Sequence, residues 1–205
     1  PAFAHDGDRA VLVIGKTGKG VCNGKFLPCF EAGEVVYLDE HINTKQDKKE
    51  VIVQRLKEAC IRHHLDPKNL AMDATGGGDV LATLMARDPF FGAKFMRVQF
   101  GGQASDLFSQ GRKDSDRYTN MVSALWYAGK PLLRTGQLKG LKPDMVREMT
   151  LRLYEEQAGG KKRIQVEPKS DMKKRLNGRS PDIGDSLFLA LYVARSRHNL
   201  RSDEK

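Results

Sequence analysis

An α/β fold with parallel pairing in its middle is what this chain predicts, on three observations. Short apolar runs at residues 10–14, 35–38, 70–73 and 95–100 have the length of strands. Apolar residues recur at helical spacing between several of them, and glycine clusters punctuate the junctions. Taken in order, residues 10–14 follow Asp6-Gly7-Asp8, a hairpin signal that makes residues 1–3 the stub of a first strand. Residues 35–38 read as a further strand, with Gly24 and Gly33 marking turns between, so the chain is expected to open on three antiparallel strands.

From residue 47 to 65, Ile52, Leu56, Ala59, Cys60 and His63 share one helical face, with Lys48, Lys49, Arg55, Lys57 and Glu58 largely opposite. This amphipathic helix ends before Pro67. A buried strand at 70–73, a helix at 79–87 and a strand at 95–100 follow, then a polar, glycine-bearing loop at 101–113 that reads as mobile. Helices are expected at 116–127, carrying Met121, Leu125 and Trp126, and at 143–156. Gly159-Gly160 interrupts, and residues 163–167 alternate like an edge strand closed by Pro168. The last helix places Ile183, Leu187, Leu191 and Ala194 on one stripe, which packs it on the sheet.

The 205 residues suit one domain with a real core, and no apolar run approaches the ~20 residues that cross a bilayer. No basic-then-apolar segment opens the chain. Cys22, Cys29 and Cys60 are odd in number and lack paired zinc-ligand spacing, so a reducing compartment fits best. Lysine plus arginine outnumber aspartate plus glutamate by 35 to 26, an excess that favours a polyanionic partner. Much of it lies late, in Lys161-Lys162-Arg163, Lys169, Lys173-Lys174-Arg175 and Arg179, just before an acidic pair.

That pair is the strongest chemical signal. In Gly178-Arg179-Ser180-Pro181-Asp182-Ile183-Gly184-Asp185, Ser180 is expected to N-cap the last helix with Pro181 as its first residue. Asp182 and Asp185 then share a face near the helix start. Asp182 alone could simply complement the helix dipole, whereas Asp185 sits beside Leu187 and Phe188, where a carboxylate is costly unless paired or metal-bound. Asp73 closes the apolar run Leu70-Ala71-Met72 and opens onto Thr75-Gly76-Gly77-Gly78. It could cap a turn, but the glycines let backbone approach a ligand, which favours a ligand role. Carboxylates suit hard Mg²⁺ or Mn²⁺, and two such ions can hydrolyse a phosphodiester.

Three other features carry less. Gly15-Lys16-Thr17 resembles the end of a phosphate-binding loop, but the motif's first glycine falls on Ala10 and no helix follows. His63-His64 has no matching acidic or cysteine set, and Phe90, Phe91, Tyr118, Trp126 and Tyr127 read as core rather than as base-stacking platforms.

Met72-Asp73-Ala74-Thr75-Gly76-Gly77-Gly78-Asp79, the Phe100-Gly101-Gly102-Gln103 loop, and Gly178-Arg179-Ser180-Pro181-Asp182 with Asp185 together resemble the nuclease domain of large terminase subunits from tailed bacteriophages. The resemblance spans nearly the whole chain. It implies an RNase H-like fold, a central mixed sheet flanked by helices, in a single nuclease domain at 1–205 that forms the C-terminal part of a larger packaging motor. It implies metal-dependent endonucleolytic cutting of double-stranded, concatemeric viral DNA during headful packaging, with two Mg²⁺ or Mn²⁺ ions. By position, Asp73 matches the family's second-strand acid, Asp185 its C-terminal helix acid and Asp182 the companion one turn before. The family's first catalytic aspartate would precede residue 1, so the first strand is expected to be truncated, with Asp8, and more weakly Asp6, as the acid across the hairpin. Lys169, Lys173, Lys174 and Arg179 are expected to hold the DNA backbone. A portal protein, a small terminase subunit and an upstream ATPase domain are the implied partners, and the host cell cytoplasm the implied location. A junction resolvase or RNase H-type nuclease, or a DNA-gripping and portal-docking module with structural acids, remain open alternatives.

Overall fold

Alternation of apolar and polar residues is sustained far beyond the short runs picked out from the sequence, and the result is one long antiparallel hairpin. Strand β1 (Val11–Cys22) pairs with β2 (Lys25–Tyr37) around Asn23-Gly24, both with positive φ, at +46° and +80°. Positive φ at both central residues is what a two-residue hairpin turn of right-handed strands requires. The structure is a computed structural model and describes residues 8–43, 45–109, 111–156 and 162–202. The expected strand stub at 1–3, Asp6 and the Gly159-Gly160 punctuation lie outside the described residues. The opening is therefore two described strands rather than three, and Gly33 is not a turn. It sits in β2 where the register shifts between Val13 and Gly15, a bulge at which an added Cβ would press on the Ile14 carbonyl at 3.0 Å.

The hairpin's base is buried, and its tip is tied to the body where Asn23 Nδ2 donates to the Arg134 carbonyl at 2.8 Å, while Val21 and Phe26 face each other beside the tip at 67% and 71% exposure. Gly15-Lys16-Thr17 lies within β1, and the glycine is needed because the Phe30 ring crosses over it. After the hairpin come α1 (Lys48–Arg62), capped by the Asp47 side chain, then β3 (Ala71–Asp73), α2 (Gly77–Arg87) and β4 (Met96–Val98). Strands β3 and β4 pair in parallel, as a strand-helix-strand crossover demands. A small hairpin, β5 (Phe108–Ser109) with β6 (Arg112–Lys113), occupies the stretch expected to be loop.

The expected helix at 116–127 is broken. A single turn, α3 (Asp114–Arg117), is followed by extended backbone to Asn120, whose side chain accepts the Ser123 amide and caps α4 (Met121–Arg134). Strand β7 (Leu138–Lys139) then adds in parallel to β2. Helix α5 (Pro143–Leu151) stops short of 156, because β8 (Tyr154–Glu156) pairs antiparallel with β9 (Ile164–Val166). Two helices finish the chain, α6 (Lys169–Arg175) and α7 (Asp182–Arg197).

The described strands form a mixed three-stranded sheet, β1-β2-β7, and three two-stranded sheets rather than one continuous sheet. Alternation along β1 sends Leu12 to a core under α1 and α2 and Val13 to a second core under α4, α5 and α7, so helices cover both faces. The expected α7 stripe is that second core's centre: Leu187 and Leu191 are fully buried, each contributing about 1.5–3 kcal/mol. Among the described residues no helix is long and apolar enough to cross a membrane.

Two outcomes follow for stability. Replacing Gly15 with Ala drives a methyl into the Phe30 ring and the Glu31 carbonyl, and lowers unfolding free energy by about 1–3 kcal/mol in chemical denaturation. At the end of α2, Asp88 accepts the Phe90 amide at 2.7 Å and the Lys57 ammonium at 3.1 Å. The Phe90 amide first, and Lys57 with it, hold this carboxyl below its ordinary 3.8. A lowered folded-state pKa stabilises above the unfolded value and is lost as pH falls through the folded one. The variant Asp88→Asn is accordingly about 1 kcal/mol less stable at pH 7, and the gap to the parent closes in melts below pH 3.8.

Candidate active site

Each acid reaches the site through a different local device. Asp73 ends β3, and its Oδ1 accepts the Thr75 amide at 3.0 Å, so it does close a turn. The glycine loop behind it is sterically required: Gly76 has φ +56°, and any side chain on Gly78 would collide with the Asp73 carbonyl. Thr75 Oγ1 in turn accepts the Phe100 amide at 3.0 Å, tying this loop to the one after β4. That second loop receives the start of α4, because Gly102 and Phe100 carbonyls accept the Met121 and Val122 amides at 2.8 and 3.0 Å.

Asp182 and Asp185 stand in the first turn of α7, but the cap differs from expectation. The helix begins at Asp182 with Pro181 before it, and no side chain of the capping residue bonds to it. Ser180 is not the cap; its hydroxyl donates to Asp182 Oδ1 at 2.7 Å. The Ile183 and Gly184 amides donate instead to Glu148 Oε2, from α5, at 2.7 and 2.9 Å. Asp182 also accepts the Arg9 amide at 3.0 Å, and Asp185 accepts the Trp126 indole at 2.9 Å and the Arg152 guanidinium at 3.3 Å.

One ammonium joins these groups. Lys169 Nζ lies 3.1 Å from Asp182, 3.3 Å from Asp185 and 3.4 Å from Asp8, and Lys173 makes a second, 2.6 Å pair with Asp8. Burial alone would strip charge from this lysine, yet Asp185, Asp182 and Asp8 outweigh it and raise its pKa. Burial raises Asp185 most strongly, against the pull of Lys169, Arg152 and Trp126, and it raises Asp73 against the Thr75 donors. Asp8 goes the other way: burial pushes it up, but Lys173, Lys169 and Ser180 together bring it below the usual carboxylate range.

Asp8, Asp73, Lys169, Asp182 and Asp185 line one cavity of about 450 Å³, whose wall also carries apolar residues of β1, β3, α1 and α2 and the charged Arg9, Asp39, Lys48 and Lys49. Three far-separated stretches thus meet in one pocket. Among the described residues, no group of three or more His, Cys, Asp or Glu stands close enough to hold a metal ion. Carboxylates are nevertheless the donors a hard cation prefers, and three of them, Asp8 and the α7 pair Asp182 and Asp185, converge on one positive charge, the Lys169 ammonium. Of the four expected DNA contacts, Lys169 faces inward among the acids and Lys173 pairs with Asp8. Lys174 pairs with Asp171 within its own helix, and Arg179 is exposed. His63 is half-buried 3.2 Å from Glu34, and His64 is exposed.

Sequence reading missed Glu148, Arg152, Trp126 and Arg9 as partners of the acids. Only Glu148 left a local trace: it falls three residues after the fully buried Met145, an acid in the apolar phase of α5.

No family model matches the chain, and no curated protein matches it. Solved structures do. The nuclease domain of the large terminase subunit gp2 of bacterial virus Sf6 superposes with a TM-score of 0.59 at 14% identity, over 89% of this chain and 87% of that domain. A variant of that domain with manganese and β-thujaplicinol gives 0.58 at 14% over the same shares, and one with calcium 0.52 at 13% over 80% and 81%. At such identities the likeness is one of architecture, and the chain has the fold of the Sf6 large terminase nuclease domain.

Proposed function

We propose that this chain is an RNase H-like, divalent-metal-dependent endodeoxyribonuclease, the nuclease domain of a tailed-phage large terminase subunit. One observation carries the reading. Asp73 on a strand end and Asp182 and Asp185 on a helix start wall a single cavity, in a fold shared with a terminase nuclease domain. In this reading the substrate is double-stranded concatemeric viral DNA, cut during headful packaging in the host cytoplasm. The portal protein, the small terminase subunit and an upstream ATPase domain are the proposed partners.

Asp73, Asp182 and Asp185 would hold two Mg²⁺ or Mn²⁺ ions, with Asp8 as an outer ligand. Bound there, such ions supply an activated water and stabilise the departing oxygen of a phosphodiester. The chain's own residues set the stage for that chemistry. Arg152 and Trp126 hold Asp185 from behind by donating to the same Oδ1, leaving Oδ2 toward Lys169. Arg152 also lies over the Trp126 ring at 5.0 Å, which fixes both donors. Lys169 holds the carboxylates together in the absence of a cation, and its ammonium competes for the oxygens a cation would use. Arg179, Lys173 and Lys174 stand on the turn and helix leading into α7, where they would engage phosphates with little regard to sequence.

Three measurements test this. Incubated with supercoiled and linear DNA, the protein cuts in Mn²⁺ or Mg²⁺ and not in EDTA, and cutting falls steeply with salt. Asp73→Asn lowers cutting by roughly a hundredfold or more, with an unchanged far-ultraviolet spectrum; full activity in that variant removes Asp73 from the mechanism. Lys169→Ala, by taking away the competing charge, binds Mn²⁺ more tightly than the parent in isothermal titration; weaker binding would show that the ammonium assembles the site rather than competing for it.

A further inference from the structure

We infer that Glu148 is a positioning residue that sets where Asp182 and Asp185 stand in the cavity, an inference that rests on the nuclease reading for its functional meaning. Glu148 is 8% exposed, and a carboxylate there is costly unless donors meet it. The donors are two amides of α7 and one guanidinium. Ile183 and Gly184 donate to Oε2 at 2.7 and 2.9 Å, and Arg9 donates to Oε1 at 3.4 Å. These amides are the second and third residues of α7, whose own capping residue, Pro181, supplies no side-chain acceptor. The cap that α7 lacks locally is therefore supplied by another helix.

Position follows from what is held. The two amides lie between Asp182 and Asp185 in sequence and belong to the rigid frame of the first turn, so fixing them fixes the depth and rotation of both acids. Close approach is enforced: a Cβ on Gly184 would stand 3.2 Å from the Trp126 ring and 3.6 Å from the Glu148 Cβ. A ring of contacts closes the arrangement, since the Arg9 that pairs with Glu148 also donates its amide to Asp182 at 3.0 Å. Glu148 thereby couples α5, α7 and the start of β1. Trp126, the only tryptophan in the chain, donates to Asp185 and reports on this geometry by its emission.

Two isolated changes separate reach from charge. Glu148→Gln keeps an acceptor oxygen at the same reach but no charge; Glu148→Asp keeps the charge and draws the oxygen back by one methylene. Trp126 emission is recorded in metal-free protein, and Mn²⁺ affinity by isothermal titration. The expected result is a Gln variant within about threefold of the parent in Mn²⁺ affinity and unchanged in emission. The Asp variant has shifted emission and Mn²⁺ affinity weakened by about tenfold or more, as for displaced supports of metal ligands. A parent-like Asp variant, or a Gln variant that falls as far as the Asp variant, overturns the inference. If the parent itself neither binds Mn²⁺ nor cuts DNA, the nuclease reading fails, while the Trp126 emission of the two variants still decides whether Glu148 places α7.

Discussion

The acidic cavity of this molecule is organised by charge balance around Lys169. Asp8, Asp182 and Asp185 all lie within 3.4 Å of its ammonium, and Arg152 meets Asp185 from the far side. Like charges brought this close into a partly dry cavity repel strongly, and each buried ion gives up several kcal/mol of hydration. Such a cluster persists only when opposite charge and well-aimed donors are built in with it. Trp126, Ser180 and the Arg9 amide complete that set. Donors from the start of the chain, α4, α6 and the segment after α5 are therefore committed to satisfying these carboxylates, and Lys169 links the three acids to one another.

Mechanical support runs in a chain from the first acid to the last. The Asp73 turn binds Thr75, Thr75 binds the Phe100 amide, and the loop after Phe100 receives the start of α4. Helix α4 carries Trp126 to Asp185, where Phe188 packs against the indole with ring centres 4.8 Å apart. From the other side, α5 holds the start of α7 through Glu148. The two glycine-bearing loops that stand out in the sequence are thus structural couplings between β3, β4 and α4.

How much of this the sequence discloses depends on whether the cause is local. The Asp73 turn, the α1 face and the α7 stripe rest on spacing within one segment, and the structure has them where the pattern puts them. Where a partner is distant, local reading misjudges. Residues 154–156 look helical beside α5, yet their partner is β9, across a loop. The Ser180 cap is plausible by type, but Glu148 takes the amides and leaves the hydroxyl to Asp182. Lys169 reads as one of many surface cations, since nothing near it in sequence shows that three carboxylates will close on it. Asn120 was available as a capping residue and marks the true start of α4.

The outer edge of the β1–β2 hairpin has a bearing on how these molecules behave in company. Strand β1 is the outer strand of its sheet and offers unpaired ladder groups, and the exposed Val21–Phe26 pair near the hairpin tip is an adhesive apolar spot beside that edge. From Lys16 to Leu27 the hairpin contains no acid, while Lys16 and Lys19 stand exposed along β1. Positive charge along such an edge acts as a gatekeeper, even with Glu31 across from Lys16, because two copies that meet edge to edge bring lysines together. The same edge that invites self-stacking at high protein concentration thus carries its own deterrent, one that weakens as salt rises.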